Sequence, residues 1–573
     1  MRDKQTSFSL ISLTSSTPLL PFPTSNTMTT KSLPLSADYL IVGGGTAGLV
    51  VACRLSENPA LNIVVLESGP DRSKDPQVQD PNSWHSLSGS ELDWKLKIVP
   101  QAGLNNRDQD HPAGKVLGGC SAINGLAYAP PSPSGIDAWA MLGNPKWNWE
   151  SFRPYLQKSF NVTHPDDVPQ PNNGGQLKSD ACSIKVTYPA LKDKATTPLL
   201  QAWNDAFKAR GYDYNTDILA EQKTIGTRAY TATIDPISGL RNSANNEYGA
   251  AAAARSNVTI ITEATVHRIL FDLQGDGVTA TGAEVIYNGQ TVAIKATKEV
   301  IMAAGAFHTP KLLELSGVGD KERLTKLGIP VVIDQPGVGE NLQNHLMSII
   351  PAPLNPQASL EGIIPGLKAL AFVKIDADEQ NELFAGHPEF NSVSDKAIRS
   401  IIQSPSEASA SIFLAVRSES LALLGAITSF PFSRGSAHIS STEFDKMPTI
   451  DAGFLTNNMD LEILARHVRT LHELTAAEHL KPFFQQNESG GLPDLEEIKK
   501  KLRTSALTAH HACGTTAMLP RCDGGVVDQD LKVYGTKNLR VVDASIFPLI
   551  PHANPIATVY AVAEKAADII REA

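Results

Sequence analysis

A glycine-rich turn near the N-terminus constrains the fold of this chain more than any other feature of its sequence. Residues 39–42 form a short apolar run, which is typical of a buried parallel strand. Three glycines in the spacing G-x-G-x-x-G follow this run and open a predicted helix over residues 46–56. A second apolar run, residues 63–66, ends at Glu67. The pattern predicts a strand–helix–strand unit that binds a dinucleotide, and it does not by itself separate NAD from FAD.

Each residue of this unit has a predicted task. Gly43 permits a tight turn, Gly45 lets the backbone approach a pyrophosphate, and Gly48 lets the helix pack closely on the strand. The free N–H groups and the positive dipole end of the helix N-terminus attract the phosphates. Glu67 follows Gly48 by about 20 residues, where an acidic residue accepts a hydrogen bond from a ribose hydroxyl. The predicted cofactor contacts of the unit are Gly43, Gly45, Thr46, Ala47, Gly48, Glu67 and Ser68.

Residues 114–125 form a second glycine-rich element. Its small residues would let the backbone lie against a flat ring system, and Asn124 could hydrogen-bond the edge of such a ring. Taken alone, this element could equally be an ordinary surface loop.

Together, these two elements and three later segments resemble the glucose–methanol–choline (GMC) oxidoreductase family, which uses FAD. The later segments are residues 305–319, 336–345 and 511–554. The resemblance begins near Ala37 and is weakest through roughly 155–220 and 350–430. The nearest subgroup looks like the fungal aryl-alcohol oxidases and patulin-synthase-like enzymes.

The resemblance implies FAD as the cofactor and adds contacts to those of the first unit. In the family, the valine matching Val266 contributes main-chain contacts to the adenosine half of FAD. Some members attach FAD covalently through a histidine in the flavin loop, but here Ile123 precedes Asn124 and residues 114–125 contain no histidine. We therefore expect dissociable, non-covalent FAD. The added contacts are Val116, Gly118, Gly119, Ser121, Asn124, Gly125, Val266, Asp543, Ala544, Pro555 and Ile556.

The C-terminal segment carries the catalytic pair that the resemblance implies. The family's chief catalytic histidine lies three residues before a Gly-Thr pair, which assigns it to His511. The second family position is a His or Asn nine residues after the serine of Asp-Ala-Ser, and it falls on Asn554. His510 and His552 are the competing candidates. His552 is also a candidate substrate contact, because an alternating backbone would place it on the same side as Asn554.

The family resemblance implies oxidation of the CH–OH group of a small alcohol, with hydride passing to flavin N5. His511 would take the hydroxyl proton, and Asn554 would donate a hydrogen bond to the developing alkoxide. An aromatic or secondary-metabolite alcohol is compatible with the sequence, and both O2 and quinones remain open as the electron acceptor. The alternative is a non-redox flavoprotein of the same fold, a lyase or cyclase that uses the same pocket for acid–base chemistry.

We expect an α/β (α+β) fold in which a Rossmann-like FAD-binding domain is interleaved with a substrate-binding domain built on an antiparallel sheet. Residues 37–343 form the FAD-binding region, with a cap or insert at about 155–220, and residues 344–506 form the substrate-binding domain. Residues 507–573 return to the FAD domain and carry the catalytic pair. Residues 1–36 are rich in Ser, Thr and Pro, and we expect them to be disordered or a targeting segment.

Composition narrows the classes of partner. The net charge of −10 provides no basic surface for nucleic acid and argues weakly against docking on anionic membranes. No uncharged apolar stretch is long enough to span a bilayer. The five scattered cysteines fit a fold without disulfides, and no ligand set has the spacing of a zinc site, so we expect no metal. A cytoplasmic location is favoured, with secretion as the alternative.

Overall fold

The computed structural model describes residues 33–164, 182–219, 223–274, 277–358, 360–387, 392–486 and 491–573. Leu35–Ala573 forms one compact unit. Residues 1–32 of the predicted N-terminal segment lie outside the described ranges, whereas Ser36 already belongs to the first strand. Part of the predicted insert at about 155–220, namely residues 165–181 and 220, also lies outside them.

The strands form two large sheets and several small ones. They are β1 Ser36–Val42, β2 Ile63–Leu66, β3 Leu96–Gln101, β4 Arg107–His111, β5 Phe160–Thr163, β6 Ile184–Thr187, β7 Gly226–Ala229, β8 Val258–Ile261, β9 Thr265–Asp272, β10 Thr279–Tyr287, β11 Gln290–Met302, β12 Val318–Gly319, β13 Ile333–Asp334, β14 Leu346–Pro353, β15 Gly366–Val373, β16 Ala410–Ser418, β17 Leu421–Thr428, β18 Ser436–His438, β19 Thr449–Asp451, β20 Leu507–Thr508 and β21 Leu539–Val541.

Sixteen α-helices lie in the described ranges of the chain. They are α1 Thr46–Leu55, α2 Pro76–Gln79, α3 Trp84–Leu87, α4 Cys120–Ile123, α5 Pro133–Met141, α6 Trp149–Ser159, α7 Pro189–Lys192, α8 Thr197–Lys208, α9 Ala250–Ala253, α10 Gly305–Leu315, α11 Lys321–Lys326, α12 Ala377–Ala385, α13 Val393–Gln403, α14 Asn458–Ala476, α15 Leu495–Ser505 and α16 Ile556–Glu572. In the part of the chain that the structure describes, no helix has the length and apolar character needed to cross a membrane.

The first large sheet has the strand order β8–β2–β1–β11–β10–β9, and β21 also pairs with β11. Strands β8, β2, β1, β11 and β21 run parallel, while β10 and β9 extend the sheet in antiparallel pairing. The apolar run of β1 is explained by this position, because helices on both faces of a parallel sheet bury its central strands. The turn after β1 lies at the carboxyl end of the strand, which is where α/β sheets bind ligands.

A buried ion pair fastens the C-terminal helix to the first helix of this layer. Arg54 of α1 donates from Nε and Nη2 to the two carboxylate oxygens of Glu564 of α16, both at 2.8 Å. The Tyr248 hydroxyl donates to the same carboxylate at 2.8 Å. A two-pronged pair of this kind fixes geometry as well as charge. Because α16 begins two residues after Asn554, the pair also anchors the predicted catalytic segment to the cofactor side of the molecule.

The second large sheet has the order β20–β14–β17–β16–β15–β7 and is antiparallel throughout. Its strands β7 and β20 come from outside residues 344–506, the range predicted for the substrate-binding domain. Alternate residues of β16, among them Ile412 and Leu414, are buried in a continuous apolar core beneath α14. The predicted fold class, an α/β cofactor layer combined with an antiparallel sheet, is confirmed.

Candidate active site

The turn between β1 and α1 is shaped by glycines for two different reasons. A Cβ on Gly43, which has φ +110°, would lie 2.3 Å from the Ala303 carbonyl oxygen, and one on Gly48 would lie 2.0 Å from the Gly43 carbonyl oxygen. Packing therefore forbids a side chain at either position. A Cβ on Gly45 would meet only the Gly119 Cα, at 3.8 Å, so the space in front of Gly45 is open.

The N-terminus of α1 faces this open space with its donors available. The helix has no side-chain cap at Gly45 and no acidic residue in its first turn. Its first N–H groups therefore have no intrahelical partner, and the helix dipole adds a positive end. Thr46 and Ala47, both predicted contacts, occupy this first turn. These features fit the pyrophosphate of a dinucleotide.

Glu67 directly follows β2, and its carboxylate supports the turn by hydrogen bonds. Its Oε2 accepts from the Gly44 N–H at 2.9 Å, and its Oε1 accepts from the Gly69 N–H at 2.8 Å. Burial raises the pKa of this carboxyl to about 7, against the opposing effect of the backbone hydrogen bonds. Its main-chain oxygen accepts from the Ala264 N–H at 2.8 Å, which places the strand containing Val266 beside it. The predicted ribose contact from Glu67 and adenosine contact from Val266 stay predictions.

The second glycine-rich element, residues 114–125, packs directly on the first turn. The Gly118 N–H donates to the Gly44 carbonyl at 2.8 Å, and a Cβ on Gly119 would lie 2.9 Å from the Gly45 Cα. It is therefore not a free surface loop, which was the alternative left open by its sequence. We call residues 43–48, 67–69 and 118–119 the cofactor cradle. Because its two glycine-rich turns meet backbone to backbone, a flat or extended ligand can lie close to both.

Polar side chains at the C-terminal part of this element hold its shape. Ser121 donates to the Gly118 carbonyl at 2.6 Å and accepts from the Ala244 N–H at 3.0 Å. The Asn124 side-chain oxygen accepts from the Leu126 N–H at 3.1 Å and from Arg241 Nη1 at 2.9 Å. Sequence reasoning missed Arg241, a buried arginine from a distant segment. The cofactor roles of Ser121 and Asn124, and those of Val116 and Gly125 in the same element, stay predictions.

Asp543 joins two of the segments that resembled the family signatures. Its carboxylate accepts from the Thr309 hydroxyl at 2.6 Å and from the Gly305 N–H at 2.9 Å, at the start of α10. The Gly514 N–H donates to the Ala544 carbonyl at 3.1 Å, so the segment of His511 is tied to the same point. Pro555 is the N-terminal cap residue of α16. The predicted cofactor contacts from Asp543, Ala544, Pro555 and Ile556 stay predictions.

His511 and Asn554, the predicted catalytic pair, are in contact. The Nε2 of His511 lies 2.9 Å from the Asn554 amide nitrogen. On its other side, His511 Nδ1 lies 2.9 Å from Nδ1 of His345, whose Nε2 lies 3.0 Å from the Ser429 carbonyl oxygen. We name Ser429, His345, His511 and Asn554 the catalytic cluster, after the role predicted for His511 and Asn554.

With both rings neutral, the hydrogen-bond partners give one consistent set of proton positions in this cluster. The Ser429 carbonyl can only accept, so His345 Nε2 carries a proton and donates it, leaving His345 Nδ1 as an acceptor. His511 must then donate from Nδ1, and its Nε2 keeps a lone pair that accepts from the Asn554 amide. A neutral imidazole in this tautomer is a base whose lone pair faces Asn554.

Electrostatics keep the cluster neutral. Burial, followed by the charges of neighbouring histidines, lowers the pKa of His511 well below its usual value. Burial lowers the pKa of His345 to about 4. Both rings are therefore uncharged near neutral pH, and the Nε2 lone pair of His511 is available to accept a proton.

The two competing histidines lie elsewhere. His510 is exposed, has φ +62°, and its ring contacts that of His111 at a centroid distance of 5.4 Å. His552 is buried and its ring meets Phe372 edge-on at 4.7 Å. Residues 551–554 form a bend rather than a strand, so backbone alternation does not bring His552 to the side of Asn554. Its predicted substrate contact stays a prediction.

Sequence reasoning also missed His345 and Asn344. The Asn344 side-chain oxygen accepts from the His511 N–H at 2.9 Å, and its amide donates to the Thr508 hydroxyl at 3.0 Å. Both residues stand at the end of the 336–345 segment, which was recognised as a signature but given no role. Two adjacent polar residues there, one of them a histidine without an assigned role, were the available signal.

Comparison with known proteins decides the family. One family model, described as GMC oxidoreductase, matches residues 37–347, and a second of the same description matches residues 431–563. The chain belongs to the GMC oxidoreductase family. The family predicted from the two glycine-rich elements and the C-terminal pair is confirmed.

Relatives of this GMC oxidoreductase match it along most of their length. The GMC oxidoreductase family protein Mala s 12 of Malassezia sympodialis is 34% identical over 581 residues, which cover 93% of this chain and 92% of that protein. An FAD-dependent oxidoreductase from Chaetomium thermophilum has a TM-score of 0.83 at 27% identity and covers 94% of this chain and 99% of its own. A fungal aryl-alcohol oxidase has a TM-score of 0.81 at 27% identity, with the same coverage.

The cofactor of this GMC oxidoreductase is FAD, and the chain is an oxidoreductase. Both conclusions rest on the family match and on the similarity to an FAD-dependent oxidoreductase of known structure. The geometry of the cofactor cradle agrees with them. The open space before Gly45, the uncapped N-terminus of α1 and the close approach of Gly119 are the features that a dinucleotide needs. Among the described residues, no group of three or more His, Cys, Asp or Glu side chains could hold a metal ion.

Proposed function

We propose that this GMC oxidoreductase oxidises the CH–OH group of a small alcohol, with His511 as the base and Asn554 as the donor to the substrate oxygen. The observation that carries the proposal is the catalytic cluster, in which His511 Nε2 presents a lone pair next to the Asn554 amide. FAD, when bound, supplies the acceptor for the hydride. Both residues are only partly buried, whereas His345 behind them is fully buried, so the pair faces accessible space.

The proton follows a path that the cluster defines. The substrate hydroxyl takes the place of the Asn554 amide as the donor to His511 Nε2, and its proton passes to that nitrogen as the C–H bond weakens. An asparagine amide nitrogen carries two N–H groups, so Asn554 can turn one of them to the substrate oxygen. General-base assistance of this kind contributes about 10²–10⁴-fold.

His345 and the Ser429 carbonyl stabilise the protonated form of His511. Once Nε2 is protonated, the Nδ1–H of His511 becomes a charge-assisted donor to His345 Nδ1, and His345 in turn donates to the carbonyl. Hydrogen bonds in such a chain polarise one another. The low pKa of His511 weakens it as a base, and this support offsets part of that loss at the moment of proton transfer.

The test is spectroscopic. Holoenzyme is mixed without oxygen with a panel of primary aromatic alcohols, and the flavin absorbance is followed. Bleaching by an alcohol, with recovery on admission of air or of a benzoquinone, supports the proposal and identifies the electron acceptor. Turnover of a substrate without bleaching would contradict it and favour a lyase or cyclase.

We also infer that FAD is bound without a covalent bond. The support is the absence of histidine from residues 114–125, the element that packs on the cofactor cradle. Precipitation with acid should release the yellow colour into the supernatant. Colour that stays in the washed pellet would overturn this inference.

A further inference from the structure

Residues 336–345, which we call the signature segment, hold His511 in place. The last two residues of the segment, Asn344 and His345, contact the main-chain N–H and the ring of His511, each at 2.9 Å. Just before them, Gln343 and Cys513 exchange both main-chain hydrogen bonds at 3.0 Å. Because a reacting group keeps its geometry only when its supports are fixed, the position of the signature segment determines that of His511.

His438 of β18 packs on the start of the signature segment. The Ala437 N–H donates to the Gly339 carbonyl at 2.7 Å. A Cβ on Gly339 would lie 2.6 Å from Nδ1 of His438. The imidazole ring therefore lies directly against the main chain of the segment, in space that a side chain at Gly339 would fill.

Each ring nitrogen of His438 faces a carboxylate from a different part of the chain. Nδ1 lies 2.8 Å from Oε1 of Glu314 in α10, and Nε2 lies 2.9 Å from Oε1 of Glu340 in the signature segment. An ionised carboxylate can only accept a hydrogen bond, so both ring nitrogens must donate. A neutral imidazole has one N–H group, and an imidazolium has two. The geometry therefore requires the charged form of His438.

The surroundings balance the charge of an imidazolium. The side chain of Glu314 is fully buried and also accepts from the Ile439 N–H at 2.8 Å. Guanidinium nitrogens of Arg323, in α11, lie 3.6 Å from Glu314 and 4.0 Å from Glu340. These two acidic and two basic groups are balanced only while His438 is protonated.

The two carboxylates hold the proton on His438. Burial alone would lower the pKa of this ring, but the hydrogen bonds to Glu314 and Glu340 overcome that effect and raise the pKa above its usual value of about 6.5. His438 thus differs from His345 and His511, whose pKa values are lowered by burial.

Loss of this proton would leave one ring nitrogen with a lone pair facing a carboxylate. Glu314 keeps the Ile439 N–H and Arg323 as partners, whereas the side chain of Glu340 is 51% exposed and can turn to water. Glu340 is therefore the partner that separates from His438. The signature segment then loses a side-chain attachment to α10 and β18.

We propose that His438 is a positioning residue, which as an imidazolium fastens the signature segment to α10 and β18 and so holds Asn344 and His345 against His511. Its effect on the reaction rests on the proposed function, whereas the fastening itself can be measured without turnover.

The first measurement is hydrogen exchange of holoenzyme, followed by mass spectrometry of peptides that cover residues 336–345 and 509–515. The exchange rates are corrected for the intrinsic effect of pH. Between about pH 6.5 and about pH 9 they should rise about fivefold, because local opening becomes easier when the ion pair with Glu340 is lost. A peptide that covers residues 43–48 of the cofactor cradle should not change.

Glu340→Gln is the decisive variant. It removes an opposite charge beside His438, which should lower the pKa of that ring by about 1 and move the rise in exchange to lower pH by the same amount. His438→Gln should exchange at the faster rate at every pH. His267→Gln is the matched control, because His267 also lies beside a carboxylate, that of Glu284 at 3.1 Å, but outside the signature segment. Its exchange profile should match that of wild type.

The second measurement is the pH profile of anaerobic flavin reduction by an alcohol. The rate should rise at acid pH as His511 loses its proton, and it should fall again above the pKa of His438. Glu340→Gln should move the falling limb to lower pH by about 1 and leave the rising limb in place, since Glu340 does not contact His511. A role in packing alone would lower the rate without moving either limb.

Each outcome decides. Exchange of residues 336–345 that does not depend on pH, or that depends on it equally in wild type and His438→Gln, overturns the proposal. A falling limb that stays in place in Glu340→Gln overturns the link to His511. Exchange that depends on pH and is shifted by Glu340→Gln, in an enzyme whose flavin no alcohol reduces, supports the fastening and counts against the proposed function. Should His438→Gln fail to fold, Glu340→Gln decides, because the side chain that it changes is half-exposed.

Discussion

The cofactor cradle is assembled almost entirely from main-chain atoms of short glycine-rich segments, whereas the catalytic cluster is assembled from three side chains and one main-chain carbonyl that come from four distant segments. In the cradle, one carboxylate, Glu67, and the carbonyl of Gly44 organise the turns, and the remaining requirement is the absence of Cβ atoms. In the cluster, residues 345, 429, 511 and 554 must converge before any proton position is defined. A site made of main-chain atoms can therefore be recognised from short sequence motifs, whereas a site made of converging distant residues cannot.

The largest effect is expected for a substitution at a glycine where the cofactor cradle has no space for a Cβ. Gly48→Ala places a Cβ 2.0 Å from the Gly43 carbonyl oxygen, and overpacking of this kind typically costs about 1–3 kcal/mol or more. We expect little folded, yellow protein. Gly45→Ala is the matched variant, because its Cβ meets only the Gly119 Cα at 3.8 Å. That variant should fold with a near-native circular dichroism spectrum and yet bind FAD weakly, as measured by flavin retention on gel filtration. Equal behaviour of the two variants would contradict the division of roles between these glycines.

In the catalytic cluster, removal of the proposed base should leave the fold intact and slow flavin reduction. His511→Ala should retain FAD and lose about 10²–10⁴-fold in the rate of anaerobic flavin reduction. Asn554→Ala should lose less. His510→Ala is the control, since this exposed neighbour points to His111 instead, and its rate should stay within about threefold of wild type. A large loss in His510→Ala with a small one in His511→Ala would reverse the assignment.

A smaller loss of rate should follow from a substitution of His345, which contacts Nδ1 of His511. His345→Phe removes the acceptor for His511 Nδ1, which frees the ring to adopt the other tautomer. Loss of one buried hydrogen bond to a group that becomes charged costs about 1.5–3 kcal/mol, or about 10- to 150-fold in rate. His345→Gln retains an acceptor and should recover part of the rate. If both variants lose the same amount, His345 acts only through packing. A pH profile of flavin reduction in the Gln variant should also move, because the partner of the base has changed.

The smallest effect concerns acid stability rather than catalysis. Burial lowers the pKa of His467 to about 3, whereas the unfolded chain has an ordinary value of about 6.5. The unfolded state therefore binds a proton that the folded state does not, and this histidine removes about 1.4 kcal/mol of stability per pH unit as the pH falls below about 6.5. Above that pH the effect is absent. His467→Gln, which can still hydrogen-bond Ser409, should flatten the dependence of the free energy of unfolding on pH between 6 and 4 by one proton. An unchanged slope would contradict the assignment of a neutral buried ring.

Much of the fold could be predicted from the sequence, and the reasons are local. The first strand, the glycine turn and the second strand are consecutive, and their apolar runs match β1 and β2. The antiparallel sheet was predicted as a class, but its edge strand β7, four residues including Arg228, has no strand pattern in its sequence. Residues 226–229 form a strand because β15 pairs with them through antiparallel backbone hydrogen bonds. Tertiary pairing of this kind overrides local preference.

The candidate site also contains residues that the sequence indicated and residues that only the structure revealed. His511 and Asn554 were assigned from the family resemblance, by their spacing from Gly514-Thr515 and Ser545, and they lie 2.9 Å apart in the structure. His345 was recognised only as part of a family signature, and no sequence pattern indicated Arg241. The sequence alone does not show whether a histidine ring or an arginine guanidinium is buried, or which groups it contacts.

By itself, the sequence determined that a glycine turn and a helix N-terminus suited to a dinucleotide follow the first strand, and its resemblance to the family added the late His/Asn pair. The physical reason is that a tight turn without Cβ atoms and a helix N-terminus are properties of adjacent residues. Only the tertiary structure decided which nitrogen of His511 keeps its lone pair, because the Ser429 carbonyl must first assign the proton of His345. It likewise decided that His438 lies between the carboxylates of Glu314 and Glu340, since burial and the distances between charges arise only when remote segments pack together.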